Sequence, residues 1–154
     1  MGQRAPLRME SGTFSEILRA RMSEENLEVV RQWWDGFNRT GMPSLDLCDS
    51  RIEVANPPDF PVRGSYYGHE GVRDWRNDVF EIVDDAHIEV EKLFDGGDGE
   101  TVVMLLRFQG AARYTGIRFD EPWAAVWKIR DGKVVHAQGY TSRRKALEAA
   151  GLRA

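Results

Sequence analysis

Two stretches in the first half of the chain repeat apolar residues every three or four positions, and the second half alternates them every second position. Leu27, Val30, Trp34 and Phe37 define one side of a helix predicted over residues 24–39. Ser23 offers its N-cap, Glu24 and Glu25 suit the positive end of the helix dipole, and Gly41 followed by Pro43 supplies the stop. Val72, Trp75, Val79 and Ile82 mark a second helix, opened by Gly68 and His69 and running to Val83. Ahead of both, residues 1–13 read as a mobile tail. Phe14 to Met22 reads as a short helix that packs loosely or frays, in preference to a partner-binding arm. A helical turn is expected over residues 44–49.

Arg51 to Asn56 alternates charged and apolar residues and reads as a strand. The stretch Asn56-Pro57-Pro58-Asp59-Phe60-Pro61 cannot extend it, because three prolines remove backbone donors, so a loop or lid is expected. Residues 86–94, 101–110, 113–130 and 133–141 are rich in β-branched and aromatic side chains. Asp95-Gly96-Gly97-Asp98-Gly99, Gly110 and the hairpin signal Asp131-Gly132 separate them. A last helix over 143–150 is capped by Thr141 or Ser142 and closed by Gly151. Helices first and a four-strand antiparallel meander after them make an α+β pattern. The expected architecture is a cone-shaped, curved antiparallel sheet packed against N-terminal helices, with an apolar pocket at its mouth. Trp33, Trp34, Trp75, Trp123 and Trp127 are large, rigid side chains that either fill such a core or line a ligand cleft.

Composition narrows the function classes. At 154 residues, 42% of them apolar and 30% charged, the chain suits one globular domain. No run approaches the ~18 apolar residues of a membrane span, and the N-terminus lacks the apolar stretch of a signal peptide. The expected location is therefore cytoplasmic, with no membrane partner. The formal charge is −4; the first 21 residues carry four Arg and two Glu, so the remainder stands at −6. That balance leaves no electrostatic footprint for nucleic acid. Cys48, the one cysteine, forms no internal disulfide and reads as a small buried filler. His69, His87 and His136 form no close metal-ligand pair. His69 reads as a capping or surface residue, and no metal or cofactor is expected.

Several motifs, in order, resemble the SnoaL-like, nuclear transport factor 2-like superfamily. They are Met22-Ser-Glu-Glu-Asn, Phe37-Asn38-Arg39, Pro57-Pro58-Asp59-Phe60-Pro61 and Gly68-His69-Glu70-Gly71-Val72-Arg73. Val126-Trp127-Lys128-Ile129-Arg130-Asp131-Gly132-Lys133 and Ala146-Leu147-Glu148-Ala149-Ala150-Gly151 complete the set. The likeness covers residues 22–152, taken as the domain, with residues 1–21 as an extension. It implies a cystatin-like roll, as in polyketide cyclases and ketosteroid isomerases, and a homodimer formed through the outer sheet face. A ketosteroid-isomerase site would place its base at Asn56, or at Val54 if the strand is aligned without a gap, and its two donors at Trp34 and Ala125. None of these supplies the required acid chemistry. A cyclase acid would fall on Gly139 and its histidine near Arg113 and Tyr114. An epoxide hydrolase would need an acid after Arg107, where Phe108 and Gln109 stand.

Strand alternation combined with the resemblance turns Leu106, Phe108, Trp123, Ala125 and Trp127 inward. Trp34, Phe37 and Trp75 join them from the helices, with Val54 and Asn56 at the mouth. Arg107, Gln109, Lys128, His136, Gln138 and Tyr140 are expected to face outward. These ten inward residues predict a pocket for an apolar or aromatic small molecule, in a protein without the family's catalytic acids. Two alternatives stand beside it. One is an isomerase, cyclase or hydrolase with a non-standard polar set drawn from Asn56, Tyr66, Tyr67 and His69. The other is a dimerisation module whose aromatics fill the interior.

Overall fold

A computed structural model describes residues 13–62 and 64–152; the expected tail before Thr13 lies outside them. The first helix, α1 (Phe14–Thr40), is continuous. Ser23 does not start it, because nothing between Met22 and Glu24 forbids helical dihedrals. The start is set upstream by a capping box: Thr13 Oγ accepts from Glu16 N at 3.1 Å, while Thr13 N donates to Glu16 Oε1 at 2.9 Å. Gly41 closes the helix with its N–H on Phe37 O. The second half of α1 buries Val30, Trp33, Trp34 and Phe37. Phe14, Ile17, Leu18 and Met22 remain exposed.

A 3-10 turn (Leu45–Leu47) leads into β1 (Cys48–Ala55), and after the proline loop a three-residue strand, β2 (Ser65–Tyr67), pairs antiparallel with it. Then come α2 (Gly68–Ile82), the meander β3 (Val83–Asp95), β4 (Thr101–Ala112), β5 (Arg118–Arg130) and β6 (Lys133–Tyr140), and α3 (Arg143–Ala149). The Gly68-His69-Glu70-Gly71 motif has a local cause. Gly68 turns the strand into the helix at φ +71°, and a Cβ on Gly71 would lie 2.9 Å from the Tyr66 carbonyl carbon.

The expected cone-shaped antiparallel sheet is corrected by the strand order β2-β1-β6-β5-β4-β3. The meander is antiparallel, but β1 runs parallel to β6, pairing Val54 with Ala137 and Ala55 with Gln138. The sheet is therefore mixed. It is neither closed nor strongly curled: β2 and β3 stand at opposite edges. Alternation along a strand says which residues share a face but not which strand lies alongside, and β1 finds its partner at the far end of the chain. The core consequently lies between one sheet face and the two long helices, and bulky rings on α1 and α2 set the separation. On the other face α3 packs Ala146 against Ala124 and Val126.

Asp98 organises the β3–β4 turn. It accepts from Thr101 Oγ at 2.7 Å, Thr101 N at 2.7 Å and Glu100 N at 2.9 Å. The Thr101 hydroxyl bond, with smaller help from the backbone donors and Lys128, holds the carboxyl well below the usual carboxylate range. A depressed folded-state value contributes stability above the unfolded value of ~3.9 and loses it as pH falls toward the folded one. The melting-temperature deficit of Asp98→Asn should therefore be full at pH 7 and shrink below about pH 4. Paired thermal melts across that range check it; a deficit that grows on acidification contradicts the assignment.

Candidate functional site

The helices and the sheet enclose a hollow of about 80 Å³. From α1 come Trp33, Trp34 and Phe37, from α2 Trp75 and Val79, and from β4 Met104, Leu106 and Phe108. Strand β5 contributes Trp123, Ala124, Ala125 and Trp127, and the proline loop closes the end with Asn56, Pro57 and Phe60. All ten residues expected to turn inward, including Val54 and Asn56, line this one space. The sequence reading missed Trp33 and Phe60 as lining residues. A wide helical stripe admits the neighbour of Trp34, but the side a loop residue takes leaves no periodic signal.

The rings meet edge to face. Trp127 stands 5.3 Å from Trp33 and 5.8 Å from Trp34 between centroids, and Trp34 stands 6.1 Å from Trp75. Such pairs add ~0.5–1.5 kcal/mol each beyond area burial. Packed edge to face at these distances, the rings have little room to rearrange.

Polar groups at the wall are few. Trp75 Nε1 donates to Asn56 Oδ1 at 3.1 Å. Gln138, expected to face outward, contributes to the lining because its Nε2 turns back to Asn56 O at 3.3 Å and Gly139 O at 3.0 Å. The indole N–H groups of Trp33, Trp34 and Trp127 are buried and find no acceptor among the described residues. Among the described residues, the lining contains no carboxylate, histidine, cysteine, lysine or arginine.

The other polar candidates lie elsewhere. His69 Nε2 is 3.0 Å from Cys48 O, and Tyr66 is buried with its hydroxyl on Asp78 at 2.9 Å. Tyr67 is exposed, and His136 stands 3.8 Å from Glu53. Of the four residues considered for a non-standard catalytic set, only Asn56 reaches the hollow. Burial pushes the Cys48 thiol up to about 12, so it is an inert filler and not a nucleophile. Among the described residues no three His, Cys, Asp or Glu gather as a metal site, and no helix is long and apolar enough to cross a membrane. Arg107, Gln109 and Lys128 turn away from the hollow to pair with Asp120, Glu89 and Asp98.

At the mouth, Phe60 packs 5.8 Å from Phe108 and 5.3 Å from Trp123, and these two lie 4.9 Å apart. Beyond this three-ring partition lies an outer cleft of about 510 Å³ that adds Asp59, Arg113, Tyr114, Glu121 and Thr141. Thr141 Oγ donates to Asp59 Oδ2 at 3.2 Å, tying the proline loop to the end of β6.

Residues 30–137 match the SnoaL-like domain family. The chain belongs to that family. Among solved structures, it is 26% identical to a nuclear transport factor 2-like protein of Burkholderia thailandensis, with TM-score 0.68, over 82% of this chain and 96% of that one. It is 19% identical to a ketosteroid-isomerase-like protein of Catenulispora acidiphila in complex with trimethylamine, with TM-score 0.61, over 81% and 93%. It is also 19% identical to TerC co-crystallised with polyporic acid, with TM-score 0.65, over 82% and 98%. No curated protein matches the chain in sequence. The SnoaL-like domain thus presents a hydrophobic, ring-lined pocket with no catalytic acid cluster among the described residues of its wall.

Proposed function

We propose that this SnoaL-like protein binds a small apolar or aromatic molecule between its helices and its sheet, without acid–base chemistry of its own. One observation carries the reading: the hollow is walled by rings and aliphatic groups and, among the described residues, by no ionisable side chain. Proton transfer needs a titratable group within hydrogen-bond reach of the substrate, and Asn56 and Gln138 are amides. Size limits what enters. Engineered apolar cavities of ~150 Å³ hold benzene, so about 80 Å³ takes a group of a few heavy atoms. A larger ligand would seat one end there and pass its remainder between Phe60, Phe108 and Trp123 into the outer cleft. That small and large organic molecules are bound by related folds, trimethylamine in one and polyporic acid in another, supports this reading. The proposal includes a cytoplasmic homodimer through the outer sheet face, outside the part that α3 covers. It also takes residues 22–152 as the domain.

Thermal unfolding tests the binding claim. At ten times its dissociation constant, cyclopropane or 2-methylpropene should add ~1.4 kcal/mol, or roughly 3–6 °C. Ala125→Leu places new methyl groups in the hollow, because Ala125 lines it opposite Met104 and Gly139. That variant should fold and lose the response. An equal shift in the variant, or none in the parent, removes the proposal.

A further inference from the structure

The outer cleft of about 510 Å³ carries the carboxylates that the wall of the hollow lacks. Glu121 is one of them, and strand geometry fixes where it stands. Strands β4 and β5 pair with an unbroken register, so residues 119, 121, 123 and 125 of β5 share one face. That is the face of the hollow, because Trp123 and Ala125 line it. Glu121 thus stands just outside the hollow, with Phe119 and Trp123 on either side along β5 and Phe108 directly opposite on β4. Phe108 lies 5.0 Å from Phe119 and 4.9 Å from Trp123 between centroids, so the three rings adjoin one another around this acid. Trp123 Nε1 donates to Glu121 Oε1 at 3.2 Å, which holds the carboxylate beside the indole edge. Asp59 borders the same cleft from the proline loop.

Both carboxylates are exposed, and among the described residues neither forms an ion pair. The nearby arginines are committed elsewhere. Arg113, which also borders the cleft, is 3.0 Å from Asp84; Arg107 pairs with Asp120, and Arg143 pairs with Glu91. We infer that the outer cleft binds an organic ammonium ion, with Glu121 as its anchor, Asp59 as a second negative charge, and Phe108, Phe119 and Trp123 against its apolar body. Two attractions select such a ligand. A carboxylate draws the cation, and aromatic faces draw it through their quadrupole while they accept the hydrocarbon beside it. An anion would meet two like charges, and Arg113 already has Asp84. A neutral ligand would gain the rings without the charge. The claim stands apart from the reading of the hollow, because neither Glu121 nor Phe119 lines that space.

Benzylammonium and benzyl alcohol share one heavy-atom skeleton and differ in charge, and phenylacetate carries the opposite charge. Each should be titrated at pH 7 into the ¹⁵N-labelled full chain, with occupancy read at the Phe119 amide and the Trp123 Nε1–H. Benzylammonium should saturate both shifts and bind roughly three- to fivefold tighter than benzyl alcohol, the upper range for one exposed ion pair. Raising sodium chloride from about 0.02 M to about 0.5 M should remove most of that advantage. Glu121→Gln keeps an oxygen for the Trp123 N–H and removes the charge. It should bring benzylammonium within about twofold of benzyl alcohol and leave benzyl alcohol unchanged. Equal affinities in the parent at low salt would overturn the cation inference and leave an apolar cleft. Tighter binding of phenylacetate would put the selection on Arg113 and overturn it as well. An advantage that survives both high salt and Glu121→Gln would remove Glu121 as the anchor. No saturable shift with benzylammonium would dispose of the site itself. None of these results touches the hollow, whose separate test is the thermal response to 2-methylpropene.

Discussion

Replacing Trp127 with alanine should cost about 3–5 kcal/mol of folding stability, the range for removing a large aromatic from a packed interior. Trp127 is 1% exposed and touches both Trp33 and Trp34 edge to face. It projects from the C-terminal third of β5, where it pairs with Val102 on β4 and Ala137 on β6. Three bonded strands cannot close over the space, and the α1 rings are held by Phe37 and Trp75. The void therefore persists and merges with the hollow beside it. Small domains have only ~5–15 kcal/mol in total, so the variant should sit close to its unfolding transition at room temperature. Urea unfolding followed by circular dichroism measures the loss. Toluene should then restore more stability to Trp127→Ala than it adds to the parent, since an enlarged apolar cavity accepts a whole ring. A loss below about 1.5 kcal/mol would mean that the helices collapse onto the sheet, against the rigidity argued above.

Much of this site was legible because two periods intersect there. Trp34 and Phe37 belong to a 3.6-residue stripe, as does Trp75 on the second helix, and Leu106–Phe108 and Trp123–Ala125–Trp127 step by two along their strands. Either period alone gives a face, and together they give the wall. What was not legible depended on neighbours. The parallel contact of β1 with β6 leaves no trace in either strand, so an antiparallel cone was expected where an open mixed sheet exists. The strand β2 has three residues, too few to show alternation. Ser23 has the chemistry of a cap, but a serine inside a helix costs little when flanking residues favour it, and Thr13 with Glu16 made the stronger start. Gln138 has the outward phase, yet its amide turns back across the β1–β6 seam. The indole donors are visible as residue types in the sequence; that Asn56 satisfies Trp75 while no described residue accepts from Trp33, Trp34 or Trp127 is a fact of three-dimensional pairing.

The second large effect should come from Asn38, whose work no periodic pattern discloses. Its side chain makes two bonds to one residue of β3: Nδ2 donates to Ile88 O at 2.7 Å, and Ile88 N donates to Oδ1 at 2.9 Å. Strand β3 is one edge of the sheet, paired among the described residues with β4 alone, and an edge carries backbone groups that no further strand satisfies. Ile88 is 6% exposed, so water does not reach them freely. The amide of Asn38 therefore substitutes for a strand partner and docks α1 against the sheet, just beyond the register shift between Asp84 and His87. Asn38 itself is exposed and its two bonds are part-buried, so Asn38→Leu, which leaves the Ile88 N–H and C=O unmatched, has an expected loss of about 1–3 kcal/mol, the lower part of the range for the pair. Asn38→Asp separates the bonds from the shape. A carboxylate still accepts from Ile88 N–H but faces the Ile88 carbonyl with no proton to offer, so it should be at least as damaging at pH 7 and recover partly once acid protonates it. Urea titrations at pH 7 and pH 4 measure both, and amide exchange at Ile88 reads the edge directly. Exchange as slow in Asn38→Leu as in the parent would show that the helix shields this edge without the amide.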